Sequence, residues 1–426
     1  MEGFGGIMET LCAPRWQDRK PGLDRMAALL ALLGDPQKQL RFVHITGTNG
    51  KGSTAAMLAA VLTAAGYSTG LFTSPHLRRY NERIRVDGRE ISDGELSALL
   101  EEVRPLLARL GEKPSQFELL TALGLLYFQR KGCDLAVLEV GMGGRLDPTN
   151  VIPAPEAAVI TAVGLDHTAY LGTTVPQVAG EKAGIIKPGV PVVLGENVPS
   201  VRAVVEARAQ EVGAPFFYAP DLASEADIPA AFPLAGRFNR ENAVTAIAAL
   251  EVLSGAPGRA DLLSPSAFSR VSWPGRFQSV GPYLVDGAHN PPAARALAAA
   301  LDEVLPAGTK LDLVFGACGD KDVDEVLRIL RPYVRRGYAV RTANPRALEP
   351  AALAVRMRAA GIPATPCESL ADALARTRPA GIGAPSLPPS VLVCGSLFLA
   401  GEAIVALGAC PWASDRFDPS ERLRVP

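Results

Sequence analysis

Short apolar runs alternate with segments of helical periodicity along most of the 426-residue chain. Residues 42–46, 135–140, 158–163 and 190–194 read as buried strands, and so do 283–285, 311–315 and 391–394. Helical patterns occupy 55–65, 118–129, 241–253, 293–304 and 323–330. Strands and helices taking turns in this way predict parallel sheets covered by helices, the α/β class. At 426 residues one core is too few, so two or three domains are expected. A boundary is expected at Trp273-Pro274-Gly275-Arg276, where Pro and Gly interrupt the pattern before a new strand–loop–helix unit. Residues 377–390, rich in Pro and Gly, read as a surface loop, and the tail after Cys410 reads as polar and poorly packed. No tandem repeat is visible.

Ligands of open α/β sheets sit at the C-terminal ends of strands, and nearly every polar cluster here directly follows a strand-like run. The first is Gly47-Thr48-Asn49-Gly50-Lys51-Gly52-Ser53-Thr54, between a strand and an alanine-rich helix. Glycines let backbone N–H groups approach an anion, the helix N-terminus adds positive potential, and Lys51 adds a full charge. A hydroxyl beside the lysine can ligate Mg²⁺. Two departures from the common phosphate-loop spacing are present: Ile45 stands where its first glycine falls, and Gly52 separates Lys51 from Ser53. The chain is nonetheless expected to bind a nucleoside triphosphate.

Charge is balanced, 43 basic against 44 acidic residues, which gives bulk electrostatics no reason to favour nucleic acid or an anionic membrane. No secretory signal is evident, since MEGFGGIMETL lacks a basic start, and no apolar run is long enough to span a bilayer. The six cysteines, Cys12, Cys133, Cys318, Cys367, Cys394 and Cys410, lack CxxC spacing, so buried thiols in a reducing cytosol are expected rather than zinc or disulfides. Of four histidines, His76, His167 and His289 lie in polar loop-like segments, whereas His44 sits inside an apolar run and reads as a satisfied strand residue.

Further clusters admit two readings each. Glu139 ends an apolar strand before Gly141-Met142-Gly143-Gly144, as a metal ligand or a solvated loop carboxylate. Asp166-His167 follows the next strand and suits a divalent metal or a ligand with its orienting partner. Lys182 and Lys187 lie near a helix end, where lysines are ordinarily solvated and favoured by the dipole. Asn242 opens a helix and suits an adenine edge, while Asn239 suits a cap. Asp286-Gly287-Ala288-His289-Asn290 offers a carboxylate and an imidazole to a ribose or phosphate, or is an ordinary βα turn.

Together GTNGKGST, FTSPHL with YNERIRVDG, FELLTALG, LEVGMGGRLDPTN, DHTAYLG, GEKAGIIKPG, WPGRFQ, VDGAHNP, FGACGDKD and CGSLFLAGE resemble the folylpolyglutamate synthase/dihydrofolate synthase family of the Mur ligase superfamily, over nearly the whole chain. The resemblance implies an N-terminal phosphate-loop ATPase domain with a parallel-sheet core (1–272), a hinge (273–276) and a smaller Rossmann-like α/β domain that brings glutamate (277–426). It implies that Lys51 binds ATP phosphates, Ser53 one Mg²⁺, and Glu139 and His167 a second, with Lys182 carrying a CO₂-derived carbamate. Lys51, Lys182 and His167 would form the catalytic set. Residues 47–54 with Asn242, Arg276, Asp286 and His289 would hold ATP, and Asp147, Ser74 and Ser396 would border the pteroate and glutamate sites. Met142, Pro148 and the FNRENA segment depart mildly from the family pattern. The implied reaction is ATP-dependent addition of L-glutamate to a folate or dihydropteroate carboxylate through an acyl phosphate, by a cytoplasmic monomer without nucleic-acid or membrane partners. Two other readings stand beside it: another Mur-type amide ligase, and an ATP-driven switch that ligates nothing. A switch leaves the DGAHN and GSLF segments unexplained.

Overall fold

In the computed structural model, residues 12, 22–255, 265–377 and 389–409 are described. Cys410, the tail behind it, the opening segment and most of 377–390 lie outside them. The chain divides into two compact units, Met1–Phe232 with Glu241–Val271, and Pro233–Arg240 with Ser272–Pro426.

The first unit is built on an eight-stranded sheet. Its strands are β1 (Phe42–Thr46), β2 (Thr69–Phe72), β3 (Ile84–Val86), β4 (Arg89–Glu90), β5 (Leu135–Glu139), β6 (Ala157–Ile160), β7 (Val192–Leu194) and β8 (Phe216–Tyr218). They lie in the order β4-β3-β2-β5-β1-β6-β7-β8. From β2 to β8 the pairing is parallel, and β3 and β4 form an antiparallel edge. β1, β5 and β6 are buried at every position, which is why each reads as a largely apolar run. β1 leads to β2 on one side, whereas β5 returns across it to β6 on the other. The C-terminal end of β1 is therefore the topological switch point. Register fixes the neighbours there: Ile45 pairs with Glu139 and Thr46 with Ile160.

The second unit carries β9 (Gln278–Val280), β10 (Tyr283–Val285), β11 (Leu311–Phe315), β12 (Val334–Ala339), β13 (Ala364–Pro366) and β14 (Val391–Cys394). Their order is β13-β12-β11-β14-β10-β9, parallel except for β9 at one edge. Apolar residues cover both faces, Leu313, Phe315 and Leu392 on one and Val314, Val393 and Leu399 on the other.

Several boundaries differ from the sequence reading. The helix after β1 starts at Lys51 and runs to Ala64, so Lys51, Ser53 and Thr54 occupy its first turns rather than a loop ahead of it. β6 stops at Ile160 and β7 starts at Val192, because Thr161–Val163 and Val190–Pro191 turn into loops that carry tertiary hydrogen bonds. β2 escaped notice because Gly70 breaks its pattern. That glycine is needed: a Cβ there would lie 2.8 Å from the ring of Phe128. All five described cysteines are free and buried, and no described helix is long and apolar enough to cross a membrane.

Candidate active site

The phosphate loop is fastened to the loop after β6. Thr48 N and Asn49 N donate to the Ala162 carbonyl at 2.7 and 3.3 Å. Thr48 Oγ1 donates to Gly164 O at 2.9 Å and accepts from Gly164 N at 3.0 Å. Thr161 Oγ1 lies 2.7 Å from Asn49 O and 3.2 Å from Thr46 O. Gly50 ends the turn in the left-handed region, φ 86°, and a Cβ there would fall 2.1 Å from Asn242 Oδ1. Sequence reasoning gave Asn242 to the nucleotide, and the structure sets its amide directly against the phosphate loop.

Two lysines converge on one carbonyl. Lys51 Nζ donates to Gly47 O at 3.1 Å and to Thr48 O at 3.2 Å. Lys182 Nζ donates to the same Gly47 O at 2.7 Å. Lys182 is 3% exposed, which overturns the solvated reading of a helix-end lysine. Burial first, and then the Lys51 charge, hold its pKa well below the ordinary lysine value. Lys187 is not simply solvated either: it donates to the carbonyls of Asn150 and Ile152, and burial lowers its pKa.

Ser53 is buried in the first turn of the helix after β1. Glu139 is buried at the end of β5 and accepts from the Ser74 backbone N–H at 2.8 Å, which joins two expected site residues. His167 takes a left-handed conformation, φ 50°, and its N–H donates to Asp166 Oδ1 at 2.8 Å. Among the described residues no group of three or more His, Cys, Asp or Glu forms a ready-made metal cage. The donors at hand, a hydroxyl and a buried carboxylate beside a phosphate loop, still suit Mg²⁺. This ion takes one or two carboxylates and completes its shell with phosphate and water.

Asp147 is buried, and both its oxygens are used by its own loop. Oδ2 accepts from Met142 N at 2.9 Å, while Oδ1 accepts from Thr149 N at 3.0 Å and Thr149 Oγ1 at 2.6 Å. Burial raises its pKa despite those donors. His44 meets Thr149 Oγ1 at 2.9 Å through Nε2, so the strand histidine supports this loop, and burial lowers its pKa to about 3. The FTSPHL segment is tied by Glu82, which accepts from the N–H groups of Leu77, Arg78 and Arg79 at 2.7–2.9 Å. His76 accepts from Arg83 Nε at 3.0 Å.

In the second unit Asp286 is buried past β10 and accepts from Phe277 N at 2.8 Å and Ala288 N at 2.7 Å. Burial raises its pKa, and the Arg276 charge opposes that shift. Arg276 lies close by, since a Cβ on Gly287 would meet its Nη1 at 2.6 Å. His289 Nδ1 is 2.8 Å from Gly287 O. Ser396 is buried and caps the helix Leu397–Ala406, accepting from Phe398 N at 3.2 Å. β10 and β14 are neighbours, so the DGAHN and GSLF loops emerge side by side. Sequence reasoning passed over the hydroxyls of Thr46 and Thr161 and the amide of Asn150. Their only signal was proximity to the glycine loops.

A phosphate loop at a switch point, followed by a second parallel-sheet unit, defines a Mur-type ligase. Residues 45–192 match the Mur ligase middle domain and residues 275–397 the Mur ligase, glutamate ligase domain. The dihydrofolate synthase/folylpolyglutamate synthase of Bacillus subtilis is 37% identical over 73% of this chain and 79% of its own. That of Mycobacterium tuberculosis is 36% identical over 95% and 94%. Among solved structures, M. tuberculosis folylpolyglutamate synthase complexed with ADP and AMPPCP superposes with a TM-score of 0.85 at 34% identity, covering 95% of this chain and 98% of that one. E. coli FolC in complex with DHPP and ADP gives 0.81 at 30% identity, covering 95% and 96%. The chain belongs to the folylpolyglutamate synthase/dihydrofolate synthase family.

Proposed function

We propose that this chain is an ATP-dependent carboxylate–amine ligase that joins L-glutamate to the carboxylate of a folate or dihydropteroate. The observation that carries the reading is the convergence of Lys51 and buried Lys182 on Gly47 O, between the strand ending in Glu139 and the loop bearing His167. The substrate carboxylate attacks the γ-phosphorus of ATP, ADP leaves, and an acyl phosphate forms. The glutamate amine then adds to the acyl carbon, and the tetrahedral adduct expels phosphate as the amide forms. Lys51 neutralises charge on the transferred phosphoryl group, which is where such reactions gain most of their rate. Ser53, Glu139, His167 and a carbamylated Lys182 are the residues proposed to hold Mg²⁺. When bound, it supplies charge neutralisation at the phosphates.

Carbamylation needs a neutral amine: Lys182 first gives up its ammonium proton, Nζ then adds CO₂ and loses a second proton, and a cation is exchanged for an anion. Its burial beside Lys51 supports that chemistry. Asn242, Arg276, Asp286 and His289 are assigned to ATP, and Asp147, Ser74 and Ser396 to the organic substrates. The exposed apolar Leu146 and Leu165, on loops that follow β5 and β6, and Tyr170, in the short helix Thr168–Leu171, suit a substrate with aromatic rings. Residues 1–272 are the proposed ATP-binding domain, 273–276 the hinge and 277–426 the glutamate-binding domain. The enzyme is proposed to act as a cytoplasmic monomer with small-molecule partners alone.

The test is ADP release with dihydropteroate and with reduced folates, each with and without glutamate. Turnover that requires both a pteroate and glutamate is expected. Turnover with a nucleotide-linked peptide instead, or with ATP alone, refutes the assignment. Lys182→Ala is expected to lose most activity and to regain part of it with acetate, a small carboxylate able to stand in for the carbamate.

A further inference from the structure

The segment that carries Lys182 packs its apolar side into the core and is strapped on its polar side by one loop, residues 141–152. At Gly144 the loop backbone lies on the helix end, where a Cβ would be 2.8 Å from the carbonyl oxygens of both Glu181 and Lys182. Arg145 N donates to Glu181 O at 2.9 Å, and its guanidinium pairs with the Glu181 carboxylate at 2.7 Å. Just past Lys182, Asn150 Nδ2 lies 3.1 Å from Arg145 O and 3.2 Å from Gly184 O. Asn150 Oδ1 is buried without a partner, so the polar contribution of this side chain is that bridge alone. Lys187 Nζ closes the strap on the carbonyls of Asn150 and Ile152. The same loop reaches β1 through Thr46 Oγ1, which donates to Gly143 O at 2.6 Å.

These contacts differ in weight. The Arg145–Glu181 ion pair has side chains 57% and 27% exposed, and pairs of that kind contribute little. The Asn150 bond to Gly184 O is partly buried and satisfies a carbonyl just past the end of the nine-residue helix Val175–Ala183, where intrahelical partners run out, and the partly buried Lys187 bonds tie the residue after that turn to the loop carbonyls of Asn150 and Ile152. Without them the turn after Lys182 keeps only its own backbone bonds and the packing of Ile185 and Ile186, and a small displacement of a reacting group is costly.

We propose that Asn150 and Lys187 are positioning residues for Lys182, fixing residues 184–187 so that its side chain is delivered to the Gly47 carbonyl. The inference rests on the carbamate reading above. Both act through the direction of the Lys182 side chain. Once the strap is cut, the lysine samples positions away from the phosphate loop, and more CO₂ is needed to populate the functional adduct.

The experiment is a bicarbonate titration of ATP-dependent ligation in the full-length enzyme, wild type against Asn150→Ala, Lys187→Met and Lys187→Arg, starting from bicarbonate-depleted protein. Loss of these hydrogen bonds is expected to raise half-saturating bicarbonate about fivefold in Asn150→Ala and Lys187→Met. Saturating bicarbonate should return turnover close to that of wild type, and Lys187→Arg, which keeps its donors, should follow the wild-type curve. A bicarbonate-dependent wild type with unshifted curves for both cut variants overturns the positioning role. Activity lost in both and not recovered by bicarbonate also overturns it, leaving a structural role alone. A wild type indifferent to bicarbonate, with no added mass on Lys182, overturns the carbamate and this inference with it.

Discussion

Gly50→Ala probes the phosphate loop at its tightest point. Gly50 sits at φ 86°, a region that costs a residue with a Cβ about 1–2 kcal/mol. The new methyl would also lie 2.1 Å from Oδ1 and 2.9 Å from Cγ of Asn242. Moving that side chain off its rotamer adds about 1 kcal/mol, so the whole perturbation is about 2–3 kcal/mol. Gly66→Ala is the control: φ is 93° but nothing lies within 4 Å of the added methyl, so it carries the backbone cost alone. Both variants should melt lower, by about 2–4 °C per kcal/mol for a unit of this size. They should separate in the ATP dependence of ADP release. If the loop cradles phosphates, the misfit at Gly50 appears in kcat/KM for ATP as a loss on the order of 100-fold. Gly66→Ala should leave that constant unchanged. A Gly50→Ala enzyme that melts early yet keeps wild-type kcat/KM for ATP would refute the reasoning, because the loop would then be a structural turn only.

Lys51→Met should abolish ADP release while leaving the melting temperature within a few degrees of wild type, since a lysine bonded to two loop carbonyls is not part of the core. Asp286→Asn should destabilise the second unit by about 1–3 kcal/mol, read from denaturant midpoints, because one of two buried N–H groups would face an amide donor in place of a carboxylate oxygen. Burial first, and then the Arg83 charge, lower the pKa of His76 to about 3. Between that value and the ordinary 6.5 the unfolded chain takes a proton that the folded chain refuses, so stability falls as pH drops through the window. The slope is about 1.4 kcal/mol per pH unit for each such histidine. His76→Gln, which keeps an acceptor for Arg83, should remove its share of that slope, and His44, also near 3, should retain its own. Urea midpoints measured across the window check both points.

Much of this was legible in the chain. β1, β10, β11 and β14 fall where apolar runs stand because strands covered on both faces are mostly apolar, with a few buried polar residues such as His44 and Asp312. β2, β3 and β4 did not show: Gly70 breaks one, and the other two are short and partly exposed. The glycine–lysine–hydroxyl cluster announced the phosphate loop because few other arrangements call for it. Burial of Lys182 was not readable from its neighbours, since the segments that cover it come from residues 47 and 144–150. Asn150 carried no signal beyond its closeness to a glycine loop, as an asparagine two residues after a proline reads as a turn. The pairing of β10 with β14, which brings Asp286 and Ser396 to one sheet end, depends on a crossover that local pattern does not encode.

The margins of the two sheets bear on how the protein behaves when concentrated. A strand edge with open N–H and C=O groups is a template for further strands, and natural sheets blunt it with short, charged or proline-bearing edges. The eight-stranded sheet ends in β4, a two-residue strand of Arg89 and Glu90. Its other end, β8, has the Arg202 guanidinium over the rings of Phe216 and Tyr218, at 5.9 and 4.3 Å. The six-stranded sheet ends in β13, which finishes on Pro366 and so lacks a donor there, and in the three-residue β9. All four margins are poor seeds for polymerisation. Rapid synthesis and storage at high concentration should therefore favour dispersed chains over fibrous deposits, and Pro366→Val, which restores a donor at the β13 margin, should lower solubility.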